Sequence, residues 1–284
     1  MTTIGAGAFY QCKNLTSVTL PNGLTKIEAA AFHRCENLKT VTLPNSLATI
    51  GGSAFQECTS LTSLTIPGSV SMIEEYAFQD CRSLASITVD KDNKVYDSRN
   101  NCNALIETAT DSLIIGCENT VIPDGVKIIG EYAFFGCKGL TSVVIPSSVV
   151  RIEDKAFDCC EGIKTIVIPS SVTTIGDDAF SGISRKADVY NYSEVPQTIK
   201  YAFGKTLHVI KGKKDAYAQA EGWKRFKTII DDLEPKDPTS VSEITHEDNK
   251  DVKIYTLDGR ATNGNNLKKG VYIKNGKKFL PIKN

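Results

Sequence analysis

One phrase of apolar and polar positions repeats along most of the chain. In residues 38–43, Leu38, Val41 and Leu43 follow an L-x-x-L-x-L spacing, with Val41 and Leu43 alternating as one face of a short strand. Pro44 comes next and cannot donate a ladder hydrogen bond, so the strand stops there. Leu47 and Ile50 then lead to Ala54-Phe55 and Cys58, which bring the chain round the convex side. IGAGAFYQCKNLTSVTLPNGLTK (4–26) is followed in phase by IEAAAFHRCENLKTVTLPNSLAT (27–49) and IGGSAFQECTSLTSLTIPGSVSM (50–72). The frame returns at 129–151 and 152–174. Its anchor is Phe9, Phe32, Phe55, Phe78, Phe134, Phe157, Phe180 and Phe203, at 23-residue intervals except for the 56 between Phe78 and Phe134.

A period in this range signals a repeat architecture. One unit cannot bury its apolar face alone, whereas stacked coils cover one another through a parallel sheet. About nine coils at strand spacing give a rod on the order of 45 Å long. Residues 90–128 carry no Ala-Phe pair and read as a longer variant unit, whose runs at 103–106 and 112–115 are predicted to add strands without breaking the stack. Past Phe203, Tyr217, Ala220, Trp223 and Phe226 fall at helix-like spacing and predict a helical cap over about residues 213–230. LEPKDPTS is a polar, Pro-rich linker. Beyond it, 252–260 and 270–282 predict short strands, with Asn275-Gly276 as a type I′ hairpin turn. The resulting division is a solenoid over 1–232, a linker over 233–240 and a small all-β module over 241–284. Met1 joins the repeat midway through a unit, from which natural sequence upstream, an export signal included, is expected.

The phrase L-x-x-L-x-L-P-x-x-L-x-x-I-x-x-x-A-F-x-x-C resembles the BspA-like leucine-rich repeats of surface proteins from Gram-negative anaerobic bacteria, over about residues 4–232. The resemblance implies a curved, right-handed coil with its parallel sheet on the concave face. It also implies an extracellular or outer-membrane location and adhesion to a host matrix or bacterial surface protein. Ile254-Tyr-Thr-Leu-Asp-Gly-Arg260 and Leu267-Lys-Lys-Gly-Val-Tyr-Ile273 resemble phrases of the β-sandwich tails, including type IX sorting domains, of secreted proteins in the same bacteria.

Strand positions between the inward residues face the concave side: Ser17 and Thr19, Thr40 and Thr42, Ser63 and Thr65, Ser86 and Thr88, Ser142 and Val144, Thr165 and Val167. None of these is charged. They read either as strand preference or as a flat docking face for a protein, with a glycan as the alternative partner. The drift from Thr19 to Val144 and Val167 predicts a far end more adhesive to apolar partners. Asp90-Lys-Asp92-Asn93 with Asp97 lacks the Gly and the final Glu of a calcium loop and reads as a polar turn. Asn14-Leu-Thr16 and Asn191-Tyr-Ser193 match the glycosylation acceptor pattern.

The 284 residues include nine cysteines, six of them, Cys12, Cys35, Cys58, Cys81, Cys137 and Cys160, three residues past an anchor Phe. That column predicts buried free thiols rather than disulfides, because parallel in-register side chains hold their Cβ atoms too far apart. Cys159, one residue off phase, is predicted to point outward and be the most reactive, while Cys102 and Cys117 have no assigned place. Lys+Arg and Asp+Glu are 33 each, which argues against a nucleic-acid binder, and no run of 18 apolar residues provides a membrane span. Charge is uneven, since 239–284 hold nine Lys/Arg against five Asp/Glu. His33, His208 and His246 fall at no spacing that builds a nucleophile–base pair, and no motif implies a metal or a cofactor. A non-enzymatic binding protein is the reading that follows, with a structural spacer as a further alternative.

Overall fold

The computed structural model describes residues 1–235 and, beyond them, strands at Ile254–Thr256, Ala261–Thr262, Tyr272–Lys274 and Lys277–Phe279. The repeats wind as a parallel β-solenoid of about ten turns with the 23-residue period. Each regular turn has three walls. The first is the long strand that the L-x-x-L-x-L phrase predicts. Ser17–Thr19 pairs with Thr40–Thr42 and Ser63–Ile66 with Ser86–Val89. Ser142–Val144, Thr165–Ile168, Asp188–Asn191, Thr206–Ile210 and Thr228–Leu233 form one five-stranded parallel sheet. Equivalent residues lie directly opposite, as Ser17 does to Thr40, so each position becomes a column.

The second wall is a ladder of two-residue strands, Thr3–Ile4, Lys26–Ile27, Thr49–Ile50 and Met72–Ile73. Two residues are too few for alternation to register in a sequence pattern, so the sequence reading has no counterpart for it. The third wall is the Ala-Phe turn. Its alternate N–H groups reach the next coil: Ala30 N–H to Gly52 O (2.9 Å), Phe32 to Ala54 O (2.7 Å) and Arg34 to Gln56 O (2.9 Å). Left-handed residues two before and two after the anchor make this possible, Ala30 and Arg34 in one turn (φ 55° and 61°), Ser53 and Glu57 in the next (55° and 58°). Inside the walls the anchor rings stack face to face at 4.9, 5.1 and 5.3 Å from Phe9 to Phe78, and at 4.8, 5.2 and 4.4 Å from Phe134 to Phe203.

The variant unit separates the two ring columns. Gly116 occupies the anchor's place: its N–H donates to Ala133 O at 2.8 Å, as those of Phe9, Phe32, Phe55, Phe134 and Phe157 do to the next Ala. A Cβ on Gly116 would lie 2.1 Å from the Phe134 ring. The predicted strands form at Leu105–Glu107 and Ser112–Ile115, but antiparallel to each other, with Tyr96–Asp97 on the outer side. Ser112–Ile115 carries the second wall on to Ile128–Ile129. The long-strand wall does break, against expectation, between Val89 and Ser142. In the gap Val121 N–H turns to Cys102 O (3.1 Å), and Pro123 has no donor to offer. The core divides accordingly into two clusters, one from Ile4 to Cys117 and one from Cys102 to Phe226, which meet at this hairpin.

The cap is less helical than its spacing predicts. An α-helix covers only Lys214–Gln219, a 3-10 turn Trp223–Arg225, and Thr228–Leu233 adds a last strand to the sheet. The helix stops where Ala220 turns extended (ψ 134°), and Gly222, at φ 79°, leads into the 3-10 turn at a place where a Cβ would meet Ile199 O at 2.2 Å. The Thr228-Ile229-Ile230 run then favours strand. Trp223 and Tyr217 are wholly buried, their polar tips bonded to Gln197 O (2.6 Å) and Ser193 O (2.9 Å). In the C-terminal segment the four strands make an antiparallel sheet. Lys274 pairs with Lys277 across Asn275-Gly276, as a two-residue hairpin requires, although the turn residues themselves lie outside the described residues, as does most of the linker.

Candidate binding surface

Position along the long strand decides which side chains reach solvent. Ser17, Thr19, Thr40, Thr42, Ser63, Thr65 and Thr88 are exposed, and Ser86 is half-buried. Two of their hydroxyls, Thr65 Oγ1 and Thr88 Oγ1, lie 3.0 Å apart across neighbouring coils. This half of the face is flat, polar and without charge. Past the variant unit the same positions behave differently. Ser142, Val144 and Thr165 are half-buried, and Val167 is fully buried in a small cluster with Tyr192, Ile210 and Leu233. The expectation of an adhesive apolar far end is therefore corrected at Val167, which is already packed against the chain's own side chains.

The predicted row ends at Val167, but the register runs on. Thr165 pairs with Asp188 and Val167 with Tyr190, one period of 23 further, and Tyr190 then pairs with His208. The Tyr190 and His208 rings stack at 4.4 Å, and His208 Nδ1 lies 2.9 Å from Asp232 Oδ1. The outer row thus ends in a carboxylate and an aromatic pair. Continuing the 23-residue count would have found Asp188 and Tyr190; His208 comes after a shortened unit, so counting misses it.

Other predicted sites resolve as structure. Asp90 Oδ1 accepts from Asp92 N (2.9 Å), Asp97 pairs with Arg99 (2.8 Å), and Asn93 is buried with its amide bonded to Pro67 O and Val70 O. The polar-turn reading matches this arrangement. Asn14 is exposed, but Asn191 is buried with Nδ2 bonded to Gln197 Oε1 (2.8 Å), so it offers no glycan acceptor. His33 sits in a surface cluster, 3.4 Å from Glu57 Oε1, while Arg34 Nε donates to Glu57 Oε2 at 3.0 Å; His246 lies outside the described residues.

All nine thiols are free, and Cys35, Cys58, Cys81, Cys137 and Cys160 form the predicted buried column, with Cys12 exposed at its end. Most of them also do more than fill space. Each S–H points at the carbonyl of the previous coil's anchor: Cys35 to Phe9 O (3.1 Å), Cys58 to Phe32 O (3.2 Å), Cys81 to Phe55 O (3.2 Å) and Cys160 to Phe134 O (2.9 Å). Cys102 and Cys117 are buried in the variant unit, Cys117 3.4 Å from Asn103 O. Cys159 is only partly exposed, and burial together with the neighbouring Asp158 carboxylate pushes its thiol up. Both effects disfavour its thiolate, and Cys12 is the one exposed thiol.

Residues 2–111 and 113–212 match the BspA type leucine rich repeat region in six copies. The chain belongs to the BspA type leucine-rich repeat family. A solved leucine-rich repeat protein from Eubacterium ventriosum aligns with these BspA type repeats at 21% identity, over 81% of this chain and 70% of its own, with a TM-score of 0.57. A leucine rich cell surface protein from Faecalibacterium prausnitzii aligns at 26% identity, over 81% and 69% of the two chains, with a TM-score of 0.51. No curated protein matches the chain.

Proposed function

We propose that this chain is a non-catalytic, surface-displayed adhesion protein that docks a protein partner on the exposed half of its long-strand face. The observation that carries the reading is the row Ser17, Thr19, Thr40, Thr42, Ser63, Thr65 and Thr88, which is exposed and uncharged and lies on a sheet whose other face is core. Such a surface loses little on desolvation and offers hydroxyls at a fixed repeat to a flat partner. Surface display is supported by the similarity to the Faecalibacterium prausnitzii cell surface protein. The family match stops at residue 212, so a sorting role for 241–284 draws no support from it.

The test presents the folded chain to immobilised matrix and bacterial surface proteins. Saturable binding is expected, weakened at least about tenfold when Thr42, Thr65 and Thr88 become Glu. Stacked carboxylates repel one another and cost stability, so a variant with Thr42→Lys, Thr65→Glu and Thr88→Lys keeps neighbouring charges complementary and must weaken binding as well. No saturable binding, or binding that both variants leave unchanged, overturns the reading.

A further inference from the structure

The last repeat unit is short, and the shortening opens a groove. Eight residues separate Phe157 from Thr165 and Phe180 from Asp188, the anchors from the long strands that follow them. Only three separate Phe203 from Thr206. The long strands stay in register, so the missing five residues come wholly out of the loop that should cover residues 181–187 of the coil before. What remains is an open groove of about 720 Å³ between the Phe180 turn, the Phe203 turn and the cap. The Phe180 and Phe203 planes also tilt apart by 26°, where the other stacked anchors stay within 10°.

The groove is cationic. Arg185, Lys200, Lys205, Arg225 and Lys227 line it against a single carboxylate, Asp178. Lys200 is paired with Asp177 and Arg225 with Glu221 (3.5 Å). The side chains of Arg185, Lys205 and Lys227 are exposed and have no ion pair or hydrogen bond among the described residues. The variant unit provides a contrast. Gly116, in the anchor's place, is followed by a similarly short run, and the groove beside it carries Glu74, Glu75, Asp80 and Glu131 and no cation. The same backbone device therefore does not dictate positive charge; the residues around Phe203 supply it. Tyr201 adds a flat aromatic ring, 61% exposed, with the Arg225 guanidinium 5.6 Å from its centroid.

We propose that this groove is a second binding site, distinct from the long-strand face, and that it takes an acidic saccharide. Sulfate or uronate groups would meet the unpaired cations at Arg185, Lys205 and Lys227. The CH face of a pyranose ring would lie on Tyr201. The aromatic complement is a single ring at the surface rather than a deep apolar slot, and the groove walls are turns rather than a strand edge, with Lys205 N–H bonded to Ala187 O (2.6 Å). A peptide would find neither a strand edge nor an anchor pocket there. This groove would serve independently of adhesion by the long-strand face.

The test uses the full chain in 0.15 M salt with dextran sulfate, neutral dextran of the same size and polyglutamate as probes, read by calorimetric titration. Dextran sulfate is expected to bind and neutral dextran not to. The double variant Lys205→Glu/Lys227→Glu is expected to lose at least about tenfold in affinity, and Tyr201→Ala severalfold. Lys26→Glu/Lys39→Glu, the same charge change at the other end of the solenoid, is expected to leave binding unchanged. These side chains are exposed, so thermal melts of the variants should match the parent. Polyglutamate binding as tightly as dextran sulfate would overturn the saccharide assignment in favour of an acidic peptide or an unspecific charged patch. Dextran sulfate binding that survives Lys205→Glu/Lys227→Glu, or is indifferent to Tyr201→Ala, would overturn the site itself.

Discussion

The buried thiols of the column serve two purposes: each is small enough for the space under the anchor ring, and most add an S–H bond to a carbonyl of the coil before, as Phe32 O accepts from Cys35 N–H (3.1 Å) and also from the Cys58 thiol (3.2 Å). Burial pushes the Cys58 and Cys160 thiols from 9.0 up to about 12 and the Cys35 thiol up to about 11. The folded chain thus holds these protons more tightly than the unfolded chain does. Their contribution to stability is fully present below pH 9.0 and is lost as pH rises from there towards about 12. The loss reaches up to about 1.4 kcal/mol per pH unit for each thiol. Urea midpoints at pH 8 and pH 10.5 should therefore fall more steeply for the parent than for Cys58→Ala/Cys160→Ala. Equal slopes would mean that the column does not set the alkaline limit. Because these positions fall at a constant offset from Phe, the sequence reveals the column. It does not reveal the hydrogen bond, which joins atoms 26 residues apart in neighbouring coils.

At the scale of the element, a coil is held by what it stacks on. Phe157 is fully buried between Phe134 and Phe180 at 4.8 and 5.2 Å, whereas Phe9 is half-buried and stacks on Phe32 alone. Phe157→Ala should cost about 3–5 kcal/mol in denaturant melts. Phe9→Ala should cost on the order of 1–2 kcal/mol, because only part of the ring leaves a packed site. Similar losses at both positions would count against stacking between coils as the source of the stability. The phenylalanines were legible from spacing alone. The left-handed turn around most of them was not, because no glycine recurs in phase: besides Gly7, Gly136 and Gly182, it is filled by Ala30, Arg34, Ser53, Glu57 and Lys155. Such residues enter that region at a local cost, offset here by the ladder of N–H bonds to the next coil.

Among the described residues, the solenoid from Ile4 to Leu233 is built as two stacks joined at one irregular unit. Both the anchor column and the long-strand wall stop there, and the two apolar clusters share only the hairpin between them. In a one-dimensional stack, stability is a sum of neighbour terms, so a weak joint uncouples its two sides. Native-state hydrogen exchange should show one opening free energy for amides around Phe32 and Phe55 and a second around Phe157 and Phe180. Gly116→Ala presses a methyl group into the Phe134 ring and should lower the second value by about 1–3 kcal/mol while leaving the first nearly unchanged. A single value throughout, lowered everywhere by the substitution, would show one cooperative unit instead.

The sequence by itself determined the solenoid, its period, the long strands, the buried thiols and the exposed hydroxyl row, because a repeated phrase must satisfy the same packing problem in every turn. The C-terminal cap shows the limit of such reading: the spacing of Tyr217, Trp223 and Phe226 predicts a helix over about 213–230, yet all three are buried and the helix stops at Gln219, where Ala220 turns extended. Tertiary structure alone decided the features that depend on what lies in the neighbouring coil. Val167 is covered by Tyr192, Ile210 and Leu233, Asn191 is locked to Gln197, and the cationic groove exists because the Phe203 loop fails to reach over the coil before it. The physical reason is the same in each case: periodicity fixes the direction a side chain takes, and only the stacked neighbour fixes whether anything is there to meet it.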